Sequence, residues 1–224
     1  MLCDQILHFL FSLRFNVQLP RGVQVMDVHN DPQVQLACTA FYQKYYQDNR
    51  KRYLIIGINP GRLGGGITGI PFTDPVNLER ACGITNPWKQ QHELSSRFIY
   101  DMIAAYGGPQ QFYSRFYISA ISPLGFVQHG KNLNYYDHPL LAKRILPFVV
   151  DCLQQQLRFG LHRQVCFCIG EGENFRYLQQ LNQECRFFSS IVALPHPRFI
   201  MQYRQKQKEM FIERYITALS AATP

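Results

Sequence analysis

From residue 53 onward, the sequence alternates short apolar runs with longer segments whose apolar residues recur at helical spacing. The runs are continuous, which is typical of strands that are buried on both faces of a sheet. Such an alternation favours parallel strands joined by helices. We therefore predict an α/β fold, a three-layer α/β/α sandwich around a central, mainly parallel four-stranded sheet. The predicted strands are 53–57, 116–119, 165–169 and 191–194. The main predicted helices are 94–106, 141–153, one that opens within 170–174 and carries Phe175, Leu178 and Leu181, and 201–219.

The chain has 224 residues and no linker-like tract, so we expect a single domain over residues 1–224. Helical spacing of apolar residues in Leu2–Leu13 and from Val34 to Tyr45 predicts an N-terminal helical part, residues 1–50. The first residues carry no basic segment followed by a cleavage site, which indicates a helix and not a signal peptide. No apolar run reaches the roughly 18 residues of a membrane span.

The formal net charge is +8, from 23 basic and 15 acidic side chains. This excess favours a polyanionic partner, nucleic acid first, although a merely basic soluble enzyme fits the charge equally well. The seven cysteines form no C-x-x-C pair, and no histidine lies at ligand spacing from them. We therefore expect a reduced, cytoplasmic protein, cytosolic or with the nucleoid, without a metal, an Fe–S cluster or another cofactor.

Ligands of parallel sheets bind at the carboxyl ends of the strands, so the segments 58–72, 119–134, 170–174 and 195–204 are the candidate site. The stretch from Asn59 to Glu93 contains six glycines and four prolines and begins at such a strand end. Long loops of this kind are usually functional or disordered, and the position favours function.

The first motif is Gly57-Ile-Asn-Pro-Gly61, followed by Arg62-Leu-Gly-Gly-Gly66 and Thr68-Gly-Ile-Pro-Phe72. Pro60 stiffens the turn, so that Asn59 projects from a rigid corner. An ordinary strand-to-loop turn and a phosphate-cradling loop are the alternatives. The Gly-Lys-Ser/Thr of a P-loop is absent, and prolines obstruct the helix that a dinucleotide fingerprint requires.

The second motif is Leu194-Pro-His-Pro-Arg198, which follows the last predicted strand. Two prolines restrict the backbone on either side of His196, and a basic run follows at Arg198, Arg204, Lys206 and Lys208. A lone loop histidine is commonly a solvated or packing residue, and a basic run is commonly a solvated helix face. Opposite a glycine-rich loop at one edge of the sheet, the two together favour a nucleic-acid site.

These motifs resemble those of the uracil-DNA glycosylase superfamily, above all its single-strand-selective monofunctional branch. The resemblance covers roughly residues 50–205 and extends to Pro123, Gly130-Lys-Asn-Leu133 and Gly170-x-Gly172. Three positions depart from the family pattern. The second motif lacks the serine of His-Pro-Ser-Pro-Arg, Arg62 replaces a proline, and Ala120 stands where the family has an asparagine that reads the flipped base.

The resemblance implies a monofunctional DNA-repair glycosylase that hydrolyses the N-glycosidic bond of uracil and related damaged or deaminated bases. It implies base flipping, with Asn59 and His196 as catalytic residues and with a base pocket formed by Gly57, Ile58, Phe72, Ser119 and Ala120. The expected partner is DNA, single- or double-stranded, bound by a monomer and not at a membrane. The expected DNA contacts are Arg62, Gly64, Gly65, Lys131, Arg198, Phe199, Arg204 and Lys206.

The region after His196 also has apolar residues flanked by cations, as in a wedge that fills the gap left by a flipped nucleotide. Packing of Phe199 and Ile200 under the last helix is the equal alternative. Two other functions remain open: a non-catalytic nucleic-acid-binding module with the same fold, and a nucleoside hydrolase. Loss of the base-reading asparagine predicts a relaxed range of bases, with 5-substituted uracils, xanthine or hypoxanthine beside uracil.

Overall fold

The computed structural model describes residues 1–221. Its strands are β1 Val23–Met26, β2 Tyr53–Gly57, β3 Phe116–Ala120, β4 Gly125–Gln128, β5 Lys131–Leu133, β6 Val165–Ile169 and β7 Ser190–Leu194. Its helices are α1 Leu2–Phe11, α2 Pro32–Tyr46, α3 Gly65–Thr68, α4 Pro75–Arg80, α5 Leu94–Ala105, α6 Pro109–Tyr113, α7 Pro139–Leu157, α8 Glu173–Cys185, α9 Pro197–Tyr203 and α10 Lys208–Ala221. No helix within residues 1–221 is long and apolar enough to cross a membrane.

The central sheet has the strand order β3-β2-β6-β7, and all its neighbouring strands are parallel. Every residue of β3 and β6 is buried, so helices cover both faces of the sheet. On one side α1 packs against α2 and α7, and a second group forms where α5 packs against α9 and α10. The predicted sandwich with a four-stranded parallel sheet is therefore confirmed.

The register of the sheet brings the two sequence motifs to one edge. Gly57 at the end of β2 pairs with Ala120 at the end of β3, and β6 ends beside Leu194 of β7. Pairing continues beyond β3, because Ile121 N–H donates to the Gly57 carbonyl at 3.0 Å. Asn59 and His196, 137 positions apart in the sequence, thus follow strands that end on the same side.

Three local expectations need correction. The N-terminal part is not only helical, because β1 forms an antiparallel sheet with β4 and β5. The stretch after Asn59 contains the short helices α3 and α4. The last helix is divided at Arg204, whose backbone leaves the helical conformation (φ −133°, ψ 24°) before a short 3₁₀ turn, Gln205–Gln207. Short strands and helix breaks of this kind depend on long-range packing, which periodicity does not report.

Candidate active site

A cavity of about 520 Å³ opens at the carboxyl ends of β2 and β3, beside the beginning of α9. Its volume is in the range of small-molecule sites. Both residues expected to be catalytic, all five expected in the base pocket and four of the expected DNA contacts line it. These residues are Asn59, His196, Gly57, Ile58, Phe72, Ser119, Ala120, Gly64, Gly65, Arg198 and Phe199.

The side-chain amide of Asn59 is held by the chain that follows β5. Its Nδ2 donates to the Leu133 carbonyl at 3.2 Å, and its Oδ1 accepts from the Tyr135 backbone N–H at 3.0 Å. A longer contact of 3.5 Å joins Nδ2 to the Pro60 carbonyl. Since both amide hydrogens face carbonyls, the unused hydrogen-bonding capacity of Asn59 is an acceptor site on Oδ1.

The ring of Phe72 lies at the floor of the cavity on a strained backbone. Phe72 has φ 53°, in the left-handed region that non-glycine residues seldom adopt. The turn is held by Thr68, whose Oγ1 donates to the Thr73 carbonyl at 2.7 Å and accepts from Ile70 N–H. The strained turn therefore brings the aromatic ring of Phe72 to the lining of the cavity.

His196 is the N-cap of α9, and its hydrogen bonds determine its tautomer. The backbone N–H of Arg198 donates to Nδ1 of His196 at 3.2 Å. Burial, and then the positive charge of Arg198, lower the pKa of His196 to about 4. The ring is therefore neutral near pH 7, with Nδ1 as an acceptor and the proton on Nε2, which is available as a donor.

The end of β3 contributes few hydrogen-bonding side-chain groups to the cavity. Ala120 is 5% exposed and offers a methyl group. Ser119 lines the cavity, and its side chain offers one rotatable hydroxyl. Ser122, a possible substitute for the missing asparagine, is fully buried and donates to the Leu124 carbonyl. Ser122 is therefore excluded as a base-reading residue.

At the mouth of the cavity, α9 exposes an aromatic pair. Phe199 and Tyr203 are 45% and 62% exposed, with ring centroids 5.8 Å apart, and the Arg204 guanidinium lies 5.6 Å from the Phe199 ring centroid. Ile200 is fully buried, so it belongs to the packing of α9. Of the two residues considered for a wedge, only Phe199 is accessible.

The remaining expected DNA contacts lie outside the cavity lining. Arg62, Lys131, Arg204 and Lys206 are exposed in the described structure. Lys208, which belongs to the same basic run, differs from them, because its Nζ lies 2.9 Å from Asp101 and 3.3 Å from Glu209. The ion pairs with both carboxylates make Lys208 a link between α10 and α5.

Several residues that line the cavity are not part of the two sequence motifs. Asn134 and Tyr136 follow β5, and His92 and Glu93 precede α5. Glu93 caps α5 through a hydrogen bond from Ser96 N–H at 2.9 Å. Asn132 also lines the cavity, and both Asn132 and Asn134 lie in the candidate segment 119–134, although no motif singles out either as a site residue. His92 and Glu93 lie at the end of the stretch 59–93 that the sequence predicts to be functional, and Tyr136 carries no local pattern that distinguishes it from an ordinary loop residue.

Comparison with known proteins places this geometry in a family. The model of the uracil DNA glycosylase superfamily matches residues 43–220. The crystal structure of wild-type SMUG2 from Pedobacter heparinus is similar over 99% of this chain and 97% of that chain, with 44% sequence identity and a TM-score of 0.96. This likeness confirms the resemblance to the single-strand-selective branch. The chain therefore belongs to the uracil DNA glycosylase superfamily.

Proposed function

We propose that this protein is a monofunctional DNA glycosylase that hydrolyses the N-glycosidic bond of uracil and related damaged or deaminated bases in DNA. The observation that carries the proposal is the common cavity of Asn59, His196 and Phe72 at the end of the parallel sheet. The cavity thus combines three groups suited to cleavage of a base from its sugar: an amide that can orient water, a neutral imidazole that can donate a hydrogen bond, and an aromatic ring that can stack on the base.

Asn59 would orient the attacking water. Its amide does not titrate near neutral pH, so it does not act as a general base. With both amide hydrogens directed at carbonyls, Oδ1 would accept a hydrogen bond from the water. That contact would turn a lone pair of the water toward C1′ of a sugar whose bond to the base is breaking.

His196 would stabilise the departing base. Negative charge grows on the base as the glycosidic bond lengthens, and Nε2–H of a neutral histidine can donate to a base carbonyl. Preorganised donors of this type commonly contribute about 2.7–4 kcal/mol to transition-state stabilisation. Because the low pKa keeps the ring neutral, this donor would not change across the physiological pH range.

Phe72 would stack on the flipped base, and the backbone of Gly57 and Ile58 would line its edges. Stacking on an aromatic ring is worth roughly 1–3 kcal/mol per base and tolerates different bases. Ala120 supplies no donor or acceptor, so the pocket would discriminate weakly among bases. We propose that 5-substituted uracils, and xanthine or hypoxanthine, are substrates beside uracil.

Phe199 would enter the space left by the flipped nucleotide, with Arg62, Lys131, Arg198, Arg204 and Lys206 on the phosphates. Gly64 and Gly65 would allow the strand close approach. The described residues that line the cavity include no lysine, so no Schiff base with the sugar is expected there, which supports the monofunctional assignment.

The proposal also covers the organisation of the chain. Pairing of β1 with β4 joins the N-terminal part to the middle of the chain, which supports a single domain over residues 1–224. We also propose that the protein acts as a monomer. Its substrate would be the cell's own DNA, in the cytoplasm or with the nucleoid.

An abasic-site assay tests the function. Oligonucleotides that contain one uracil, single-stranded or paired, are incubated with excess enzyme, and abasic sites are then cleaved by alkali. We expect cleavage with the wild type and a strong loss of excision, with DNA binding retained, for Asn59→Ala and for His196→Ala. Binding without excision would indicate a binding module, and a preference for free nucleosides would indicate a nucleoside hydrolase.

A further inference from the structure

A buried hydrogen-bond chain runs from Asn59 to the end of β6. Tyr135 donates its backbone N–H to Asn59 Oδ1, and its hydroxyl donates to Asn174 Oδ1 at 2.9 Å. Asn174 in turn donates Nδ2 to the Ile169 carbonyl at 2.9 Å. The chain thus connects the amide at the end of β2 with the last residue of β6.

The two residues that extend this chain are inaccessible to a substrate. Tyr135 is fully buried and Asn174 is 1% exposed, and neither lines the cavity. Buried polar groups are costly unless they are paired, so each such pair specifies one arrangement of the backbone around it. The hydrogen bond of the Tyr135 hydroxyl therefore ties the segment that carries the Tyr135 backbone N–H to the first turn of α8.

The location of that N–H matters because Asn59 can rotate its amide. With the amide turned by 180°, Nδ2 would face the Tyr135 N–H and Oδ1 would face the Leu133 carbonyl, which opposes donor to donor and acceptor to acceptor. The hydrogen bonds of the Asn59 amide with Leu133 and Tyr135, which we call the clamp, therefore permit one orientation only. It leaves the free acceptor of Oδ1 available to a water molecule.

We propose that Tyr135 and Asn174 are positioning residues that hold the Asn59 amide in its reactive orientation. This inference rests on the proposed function, since it assigns them an effect on the step in which Asn59 orients water. Their side chains touch neither base nor sugar, so their loss should lower the rate of cleavage without lowering affinity for DNA. Small displacements of a reacting group can cost on the order of 100-fold in rate.

The experiment is a double-mutant cycle between Asn59→Ala and Tyr135→Phe, in single-turnover excision of uracil with enzyme in excess. Tyr135→Phe keeps the ring and removes only the hydroxyl. We expect a loss of about 10- to 100-fold in the maximal rate, with the half-saturating enzyme concentration unchanged. In the Asn59→Ala background, the same change should alter the rate less than about twofold.

Two further variants sharpen the result. Asn174→Ala removes the same hydrogen bond from its other partner and should reproduce both outcomes. Tyr46→Phe is the matched control, because Tyr46 is equally buried and donates its hydroxyl to the Phe116 carbonyl at the opposite end of β3. It should leave the excision rate unchanged.

The outcomes separate the two proposals. If the wild type releases no base, the proposed function fails. If the wild type is active and Asn59→Ala is impaired, but Tyr135→Phe matches the wild type, only the positioning role is overturned. The positioning role is also overturned if the rate loss of the double variant equals the product of the two single losses. Tyr135 would then act independently of Asn59.

Discussion

The ring of Phe72 lies so close to the backbone of Gly57 that a Cβ at position 57 would stand 2.7 Å from Cε2 of the ring. Gly57 has an ordinary strand conformation and pairs with Ala120, so its backbone does not require a glycine. The missing side chain is needed to accommodate the Phe72 ring. The first glycine of the motif therefore makes room for the aromatic floor.

We expect Gly57→Ala to displace the Phe72 ring and to leave the fold intact. Loss of roughly 1–3 kcal/mol of base stacking would lower excision efficiency about 5- to 150-fold. Single-turnover excision and thermal unfolding measure the two effects. Wild-type excision by the variant would show that the ring can shift at no cost to the reaction.

The low pKa of His196 links protein stability to pH. In the unfolded chain the ring protonates near its ordinary pKa of 6.5, but in the folded protein only near 4. Between these values the unfolded state binds more protons, so the free energy of unfolding falls as pH decreases from 6.5 to 4. For this shift the loss is about 3 kcal/mol at most.

His196→Asn provides the comparison, because asparagine is also a favourable N-cap and does not titrate. As pH decreases from 6.5 to 4, we expect the free energy of unfolding of the His196→Asn variant to fall less steeply than that of the wild type. The protonation of other histidines is common to both proteins and cancels in the difference. Parallel pH dependences would contradict the assigned pKa.

The exposed ring of Phe199 should act on flipping and not on the chemical step. We expect Phe199→Ala to reduce excision from double-stranded DNA more than from single strands, because an unstacked single-stranded base needs no wedge. The ratio of the two single-turnover rates measures the effect. Equal losses on both substrates would assign Phe199 to general DNA contact.

Lys206 and Lys208 form a matched pair for the DNA-binding surface. Lys206 is exposed, whereas Lys208 is held by Asp101 and Glu209. We expect Lys206→Ala to lower the slope of log affinity against log salt by about one unit, and Lys208→Ala to leave the slope unchanged. A slope unaltered by the Lys206 change would mean that the 3₁₀ turn Gln205–Gln207 is merely solvated.

Ala120 is the position at which base choice should respond. The hydroxyl of Ser122 donates to the Leu124 carbonyl away from the cavity, and the hydroxyl of Ser119 rotates, so neither replaces a fixed amide. We expect Ala120→Asn to shift preference toward uracil and to reduce excision of xanthine and 5-substituted uracils. Excision of uracil alone by the wild type, in a panel of lesions, would show that another group reads the base.

The local pattern of the sequence determined the parallel sheet and most of the cavity. Continuous apolar runs such as Val165–Ile169 require burial on both faces, and this requirement leads to strands sandwiched between helices. The carboxyl ends of such strands meet at one edge, so residues that follow them, Asn59 and His196 among them, could be assigned to one site. The resemblance of the two motifs to a known family then indicated their chemistry.

Only the tertiary structure decided how those residues are held. The clamp on Asn59 comes from Leu133 and Tyr135, more than 70 positions away, on a segment without periodicity. The break at Arg204 and the pairing of Lys208 with Asp101 likewise follow from the packing of α10 against α5. Hydrogen bonds and ion pairs between distant segments depend on the final packing of the backbone, and a linear pattern of apolar and polar residues does not encode that packing locally.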